Sequence, residues 1–222
     1  MTEEEQKTEK PACASGAFVL GVTGGVGSGK SSVLSMLKED FGFKILQTDL
    51  LAKELMQPGT VCFERLKEAF GTRILAPDGT IDKKAYADLI YGDERLQKLS
   101  DAIVHPAVWE AAKERIASIS KTGIRARIAL ETALPSREYK ELCTAVLYVF
   151  ALRPVRITRL MESRGYSYER CLEIMESQPA EDGYMAYADA VLDNGSGLME
   201  SRERLSEILR CLTRSQEPDL KK

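Results

Sequence analysis

The chain is 222 residues long, with 44% hydrophobic and 29% charged residues and a formal net charge of -3. That length suffices for one large domain or for a core with an insert. The charge balance offers no overall basic face for nucleic acid, and no stretch is apolar enough to span a membrane, so neither is expected as a partner.

Five cysteines stand at 13, 62, 143, 171 and 211. The number is odd and no pair has CxxC spacing. A disulfide framework or a zinc site is not expected, and a reducing, cytoplasmic setting is. Residues 1–16 and 215–222 are charged and polar, the composition of disordered tails.

Ala17 to Thr23 reads as a buried strand, and Ser31 to Asp40 as a helix with Val33, Leu34, Leu37 and Phe41 on one face. Between them lies "GGVGSGKSS", with the spacing Gly24-x-x-x-x-Gly29-Lys30-Ser31 of a P-loop. Glycine lets phosphate oxygens approach backbone N–H groups that a Cβ would screen. Gly25, Val26, Gly27, Ser28, Gly29, Lys30, Ser31 and Ser32 are therefore the expected nucleotide-binding residues. Lys30 is expected beside the β- and γ-phosphates, and the Ser31 hydroxyl on Mg²⁺. ATP and Mg²⁺ are the expected cofactors.

Lys44 to Gln47 reads as a second strand and Leu50 to Met56 as a helix. Asp49 follows that strand, where open parallel sheets bind ligands. It reads as a base for an attacking hydroxyl, as a magnesium ligand, or as the N-cap of the next helix. Glu131, at another strand end, is the rival metal-side carboxylate.

A charged helical stretch follows, with Val61 to Phe70, a turn at Asp78-Gly79, and Asp82 capping Lys83 to Ile90. Arg95 to Ile103 is read as a separate helix, and Pro106 as the first turn of Ala107 to Ser118. Tyr86 and Tyr91 are candidates for lining an acceptor pocket. Strands return at Ala126 to Leu130, Ala145 to Ala151 and Ala190 to Leu192, with helices at Pro154 to Ser163, Tyr168 to Ser177 and Leu198 to Leu212. Alternating strands and helices predict an α/β fold, a parallel sheet flanked by helices.

The segments "LGVTGGVGSGKSSV", "TDLLAKELMQPG", "FGTRILAPDGTIDKKAYADLIYGDERLQKLSDAIVHPAV" and "YADAVLDNGS" stand in the order and spacing of dephospho-coenzyme A kinases, a family this chain resembles from about Phe18 to Leu212. The resemblance implies a P-loop kinase core over 17–56 and 124–214, a lid near 153–187 and a helical coenzyme-A-binding insert over 57–123. It implies transfer of the ATP γ-phosphate to the ribose 3′-hydroxyl of dephospho-coenzyme A, a small-molecule substrate. Asp49 matches the family's general base. Lys53, standing where the family has Arg, and His105 of its His-Pro pair fall on the substrate side. Arg159 and Arg164 are expected to close on the transferring group.

Four positions depart from the family pattern. Gln47 replaces an aspartate. The segment "ETALPSREY" lacks a clear match to the family's proline-to-glutamate stretch: either Thr132 takes the place of the proline, or a small shift brings Glu138 near the missing glutamate. Ser163 occupies the usual lid arginine's place with Arg164 beside it, a turn of about 100° on a helix. Tyr184 stands where a nucleotide-holding cation belongs, and one reading has its ring stack on adenine instead. The alternatives are another P-loop nucleoside or nucleotide kinase, or a catalytically weakened ATP-binding regulatory homologue. No NKxD-type signature supports a GTPase. Retention of Lys30, Ser31 and Asp49 favours the active kinase.

Overall fold

The computed structural model describes residues 16–121 and 126–214. The expected tails therefore lie outside the described residues, apart from Gly16. A five-stranded sheet has the order β2-β3-β1-β4-β5, with β1 Phe18–Thr23, β2 Lys44–Gln47, β3 Arg127–Thr132, β4 Ala145–Phe150 and β5 Ala190–Asp193. β1 pairs in parallel with β3 and β4, and β4 with β5. A central parallel strand is covered on both faces, and Val19, Leu20 and Val22 are accordingly solvent-free.

Two compact units divide the chain, one made of residues up to 45 with those from 120 onward, the other Leu46–Ile119. The second unit begins earlier than the 57–123 insert and takes in the helix that follows β2. In the first unit, α1 Lys30–Glu39 buries Val33, Leu34, Met36 and Leu37. Leu20, Val22, Leu147 and Val149 of the sheet share that core with Leu205 and Leu209 of α10 Leu198–Arg214. α6 Arg137–Leu142 was not foreseen. Its Tyr139 hydroxyl donates to Leu130 O at 3.1 Å, and a Cβ on Gly21 would stand 2.6 Å from that hydroxyl. Gly21 makes room for α6 to reach the sheet.

The second unit holds α2 Thr48–Leu55, α3 Val61–Phe70, α4 Lys83–Tyr91 and α5 Glu94–Ser120, the last residue of which lies in the first unit. Its core gathers Cys62, Leu66, Phe70, Ile74 and Tyr86. Tyr86 is thus packing, not pocket lining: its ring meets Phe70 edge-on at 5.8 Å and its hydroxyl bonds Ser100. Caps set the helix starts, Thr60 accepting from Phe63 N and Asp82 from Lys84 N and Ala85 N.

The two helices expected around Pro106 are one, α5, with Pro106 inside. An interior proline costs about 3 kcal/mol or more through its missing N–H and its ring. Burial of Ser100 before it and of Val108, Ala112 and Ile116 after it anchors both halves. Packing overrides the local signal.

Candidate active site

The loop from β1 to α1 lies at the carboxyl end of the central strand. α1 opens at Lys30 with Gly29 as its N-cap, at φ 90° and ψ 25°. No side chain caps this end, and no acidic residue stands in its first turn. Its N–H groups and dipole therefore face outward as an anion site. Ser31 and Ser32 are exposed there. Lys30 Nζ donates to Gly24 O at 2.7 Å and lies 4.0 Å from Glu131 Oε1, both side chains nearly buried. A cation held between a loop carbonyl and one carboxylate suits an incoming phosphate.

α7 Arg153–Arg164 and α8 Tyr168–Glu176 pack against this loop. Arg156 Nε donates to Val26 O at 2.8 Å. Val26 N donates to Gln178 Oε1 at 2.8 Å. Arg159 donates through Nη1 to Ser28 O at 3.3 Å and through Nη2 to Asn194 O at 2.8 Å. Asn194 Nδ2 donates to the same Ser28 O at 2.8 Å. Burial lowers the Arg156 pKa from its ordinary value, partly offset by the tyrosines Tyr184 and Tyr148. The loop is thus held by four side chains, Arg156, Arg159, Gln178 and Asn194, each 130 or more residues away in sequence.

Of the expected lid arginines, Arg159 reaches the loop and Arg164 does not. Arg164 ends α7, exposed, its guanidinium 5.9 Å from the Tyr166 ring centroid. Gly165 ends the helix right after it, with a left-handed turn at φ 64°. Arg153 pairs with Glu176 at 3.7 Å on the surface. The structure brings Arg156 to the loop, together with Gln178 and Asn194, neither of which had been singled out.

Asp49, Lys53 and His105 belong to the second unit. α2 starts at Thr48, two residues before the expected start, with Gln47 as N-cap. Asp49 is therefore a first-turn residue, not the cap. It is exposed, and so is Lys53 one turn on. A spacing of four sets both on one face of α2. His105 is exposed within α5, with Nε2 3.6 Å from Asp101 Oδ1.

Residues 18–200 match the family model described as dephospho-CoA kinase. The dephospho-CoA kinase of Moorella thermoacetica is 33% identical over 206 residues, spanning 90% of this chain and 97% of that one. That of Geobacter sulfurreducens is 32% identical, spanning 86% and 96%. A crystal structure from Thermus thermophilus superposes with a TM-score of 0.74 at 28% identity, covering 88% of this chain and 97% of that one. The dephospho-CoA kinase structure from Campylobacter jejuni, 18% identical, shares the fold at a TM-score of 0.65, covering 90% and 98%.

This chain belongs to the dephospho-CoA kinase family. It is a kinase of the P-loop type, and among its described residues no helix is long and apolar enough to cross a membrane. The departures from the dephospho-CoA kinase pattern are structurally absorbed. Thr132 closes β3, buried, its hydroxyl 3.3 Å from both Leu134 N and Leu134 O. Glu138 is exposed in the first turn of α6. Ser163 turns back onto its own helix, donating to Arg159 O at 2.5 Å.

Tyr184 is 2% exposed and stacks on Tyr148 with ring centroids 5.2 Å apart. It sits in α9 Glu181–Met185. A ring so enclosed offers no face to adenine, contrary to the stacking expected of it. Burial pushes its hydroxyl up to about 12 despite the nearby Arg156. The unfolded chain ionises tyrosine near 10, so the folded state holds its proton longer. The resulting stability is complete below pH ~10 and is lost as pH rises toward 12. Chemical denaturation at pH 8, 10 and 11 is expected to show wild-type stability falling above pH 10, with Tyr184→Phe falling less by about 1–2 kcal/mol at pH 11. Equal slopes would place Tyr184 in contact with solvent.

Proposed function

We propose that this chain transfers the γ-phosphate of ATP to the ribose 3′-hydroxyl of dephospho-coenzyme A, giving coenzyme A and ADP, in the cytoplasm. The observation carrying this reading is the uncapped α1 N-terminus with Lys30 beside it, in a member of this family. Lys30 exchanges the Gly24 carbonyl for phosphate oxygens and steadies their charge. Loop amides from Gly27 to Ser32 take the remaining phosphate oxygens.

Among the described residues no cluster of three or more His, Cys, Asp or Glu is arranged for a metal. Magnesium in phosphoryl-transfer sites needs no such cage, since it keeps waters and phosphate oxygens as ligands. The exposed Ser31 hydroxyl and the Glu131 carboxylate near Lys30 fit that sparser demand. When bound, Mg²⁺ neutralises phosphate charge.

Asp49 accepts the proton of the 3′-hydroxyl as it attacks. Lys53, one turn along the same face of α2, is a cation for the acceptor's own phosphates, and His105 helps shape the substrate unit. Arg159 stabilises charge on the moving group, and Arg164 approaches it only after leaving the place where it now lies.

ADP formation from ATP and Mg²⁺ tests this reading, with and without dephospho-coenzyme A, with product mass as the second readout. Acceptor-dependent ADP release with one coenzyme A per ADP is expected. ATP binding without acceptor-dependent turnover would overturn the kinase and leave a nucleotide-binding protein.

A further inference from the structure

The backbone of the loop from β1 to α1 is bonded to side chains far along the chain. Here both sides of one loop residue are already taken. The Val26 N–H is bound by Gln178 Oε1 and the Val26 carbonyl by Arg156 Nε, each at 2.8 Å. Arg156 Nη2 closes the triangle, donating to the same Gln178 oxygen at 3.4 Å. The Val26 side chain packs with Ile157, Leu160 and Cys171, the buried core of α7 and α8. So Val26 completes the core of the helical hairpin while its backbone is pinned from it.

The glycines around it answer to the same neighbour. A Cβ on Gly25 would collide with the Arg156 guanidinium, and one on Gly27 would stand 2.8 Å from Arg156 O. Gly27, with φ 76°, is also the first residue beyond the pinned one and begins the run of amides toward α1.

We propose that Gln178 and Arg156 are positioning residues, a two-point clamp that sets the Val26 backbone and presents the amides after it to the phosphates of ATP. Gln178 touches no reacting atom. Its oxygen is the acceptor that holds the Val26 N–H, and Arg156 orients that oxygen. The clamp's presence is a property of the free protein. Its effect on ATP rests on the nucleotide reading above.

Two variants separate acceptor chemistry from packing. Gln178→Leu keeps the bulk and removes the acceptor. Gln178→Glu keeps an acceptor oxygen and adds attraction to Arg156. In the free protein, Val26 amide exchange followed by NMR is expected to speed up about tenfold or more in Gln178→Leu, the effect of a part-buried N–H losing its partner. ATP dissociation constant and ATP KM are expected to rise about tenfold, with the KM for dephospho-coenzyme A within about twofold. Gln178→Glu is expected to recover both the exchange protection and the ATP affinity.

Unchanged Val26 exchange in Gln178→Leu would overturn the clamp. So would a Gln178→Glu as impaired as the leucine variant, since side-chain shape would then be what matters. If Gln178→Leu does not fold, Gln178→Asn, one methylene too short to reach, takes its place against Gln178→Glu. Failure of the kinase reading would show in the wild type as absent turnover, with the exchange result unaffected.

Discussion

Asp49→Asn is expected to lower the rate of coenzyme A formation by about a hundred- to ten-thousand-fold, the range for losing a general base. The ATP dissociation constant should stay within about twofold, because nothing in the P-loop is altered. Asparagine has the shape of aspartate but neither its charge nor its proton affinity. The structure sets aside a capping role for this carboxylate. Gln47 is the N-cap of α2, and Asp49 is exposed in the turn beyond it. A first-turn acid contributes about 0.3–1 kcal/mol to its helix, too little to threaten the fold. Single-turnover kinetics and a denaturation curve for the same variant make the check. If the rate survives, Glu131 is the carboxylate to test next, by Glu131→Gln. It is 8% exposed and stands 4.0 Å from Lys30. A rate that survives in Asp49→Asn and collapses in Glu131→Gln would move the chemistry from the acceptor side to the nucleotide side.

The parts of this molecule that sequence made legible are those encoded within a few residues. Glycine spacing before Lys30 defines an anion cradle because backbone conformation and close approach are local demands. Asp82 three residues before Ala85, or Ser167 three before Arg170, declares a helix start for the same reason. Period and punctuation gave the five strands and their alternation with helices. Pro106 misled, because a local breaker was outweighed by burial at Val108, Ala112 and Ile116. Tyr184 misled in the opposite way. Its place in the family pattern suggested a ring for adenine, and only the fold reveals Tyr148 lying parallel to it at 3°.

The P-loop's supports were illegible for a different reason. Val26 meets Gln178 across 152 positions, and Ser28 meets Asn194 across 166. No spacing rule reaches so far. Asn194 directly follows β5, and its amide holds the loop through Ser28 O. Arg159 was a candidate because arginine on a lid helix suits phosphoryl transfer. Its present partners are the carbonyls of Ser28 and Asn194, so it also braces the loop it was expected to serve.

Gly29→Ala is expected to weaken ATP binding by about a hundredfold or more, and the reason is testable apart from the size. Gly29 lies at φ 90°, where an L-residue is strained by roughly 1–2 kcal/mol. Its added Cβ would also fall on Asn194 Nδ2, the donor that holds Ser28 O at 2.8 Å. Asn194 would have to leave, freeing a carbonyl that Arg159 holds only at 3.3 Å. Asn194→Ala alone should cost about five- to tenfold, one buried hydrogen bond. In the double variant the collision has been removed beforehand and only the backbone strain remains. It should bind ATP no worse than Gly29→Ala does, a coupling of about 1 kcal/mol between the two sites. Isothermal titration of the four proteins with ATP closes the cycle. Costs that multiply would mean that Gly29 is demanded by the approach of phosphate alone. Costs that fail to multiply would mean that the last glycine of the loop is there for Asn194 as well, and that the cradle's shape is set from β5 before any nucleotide arrives.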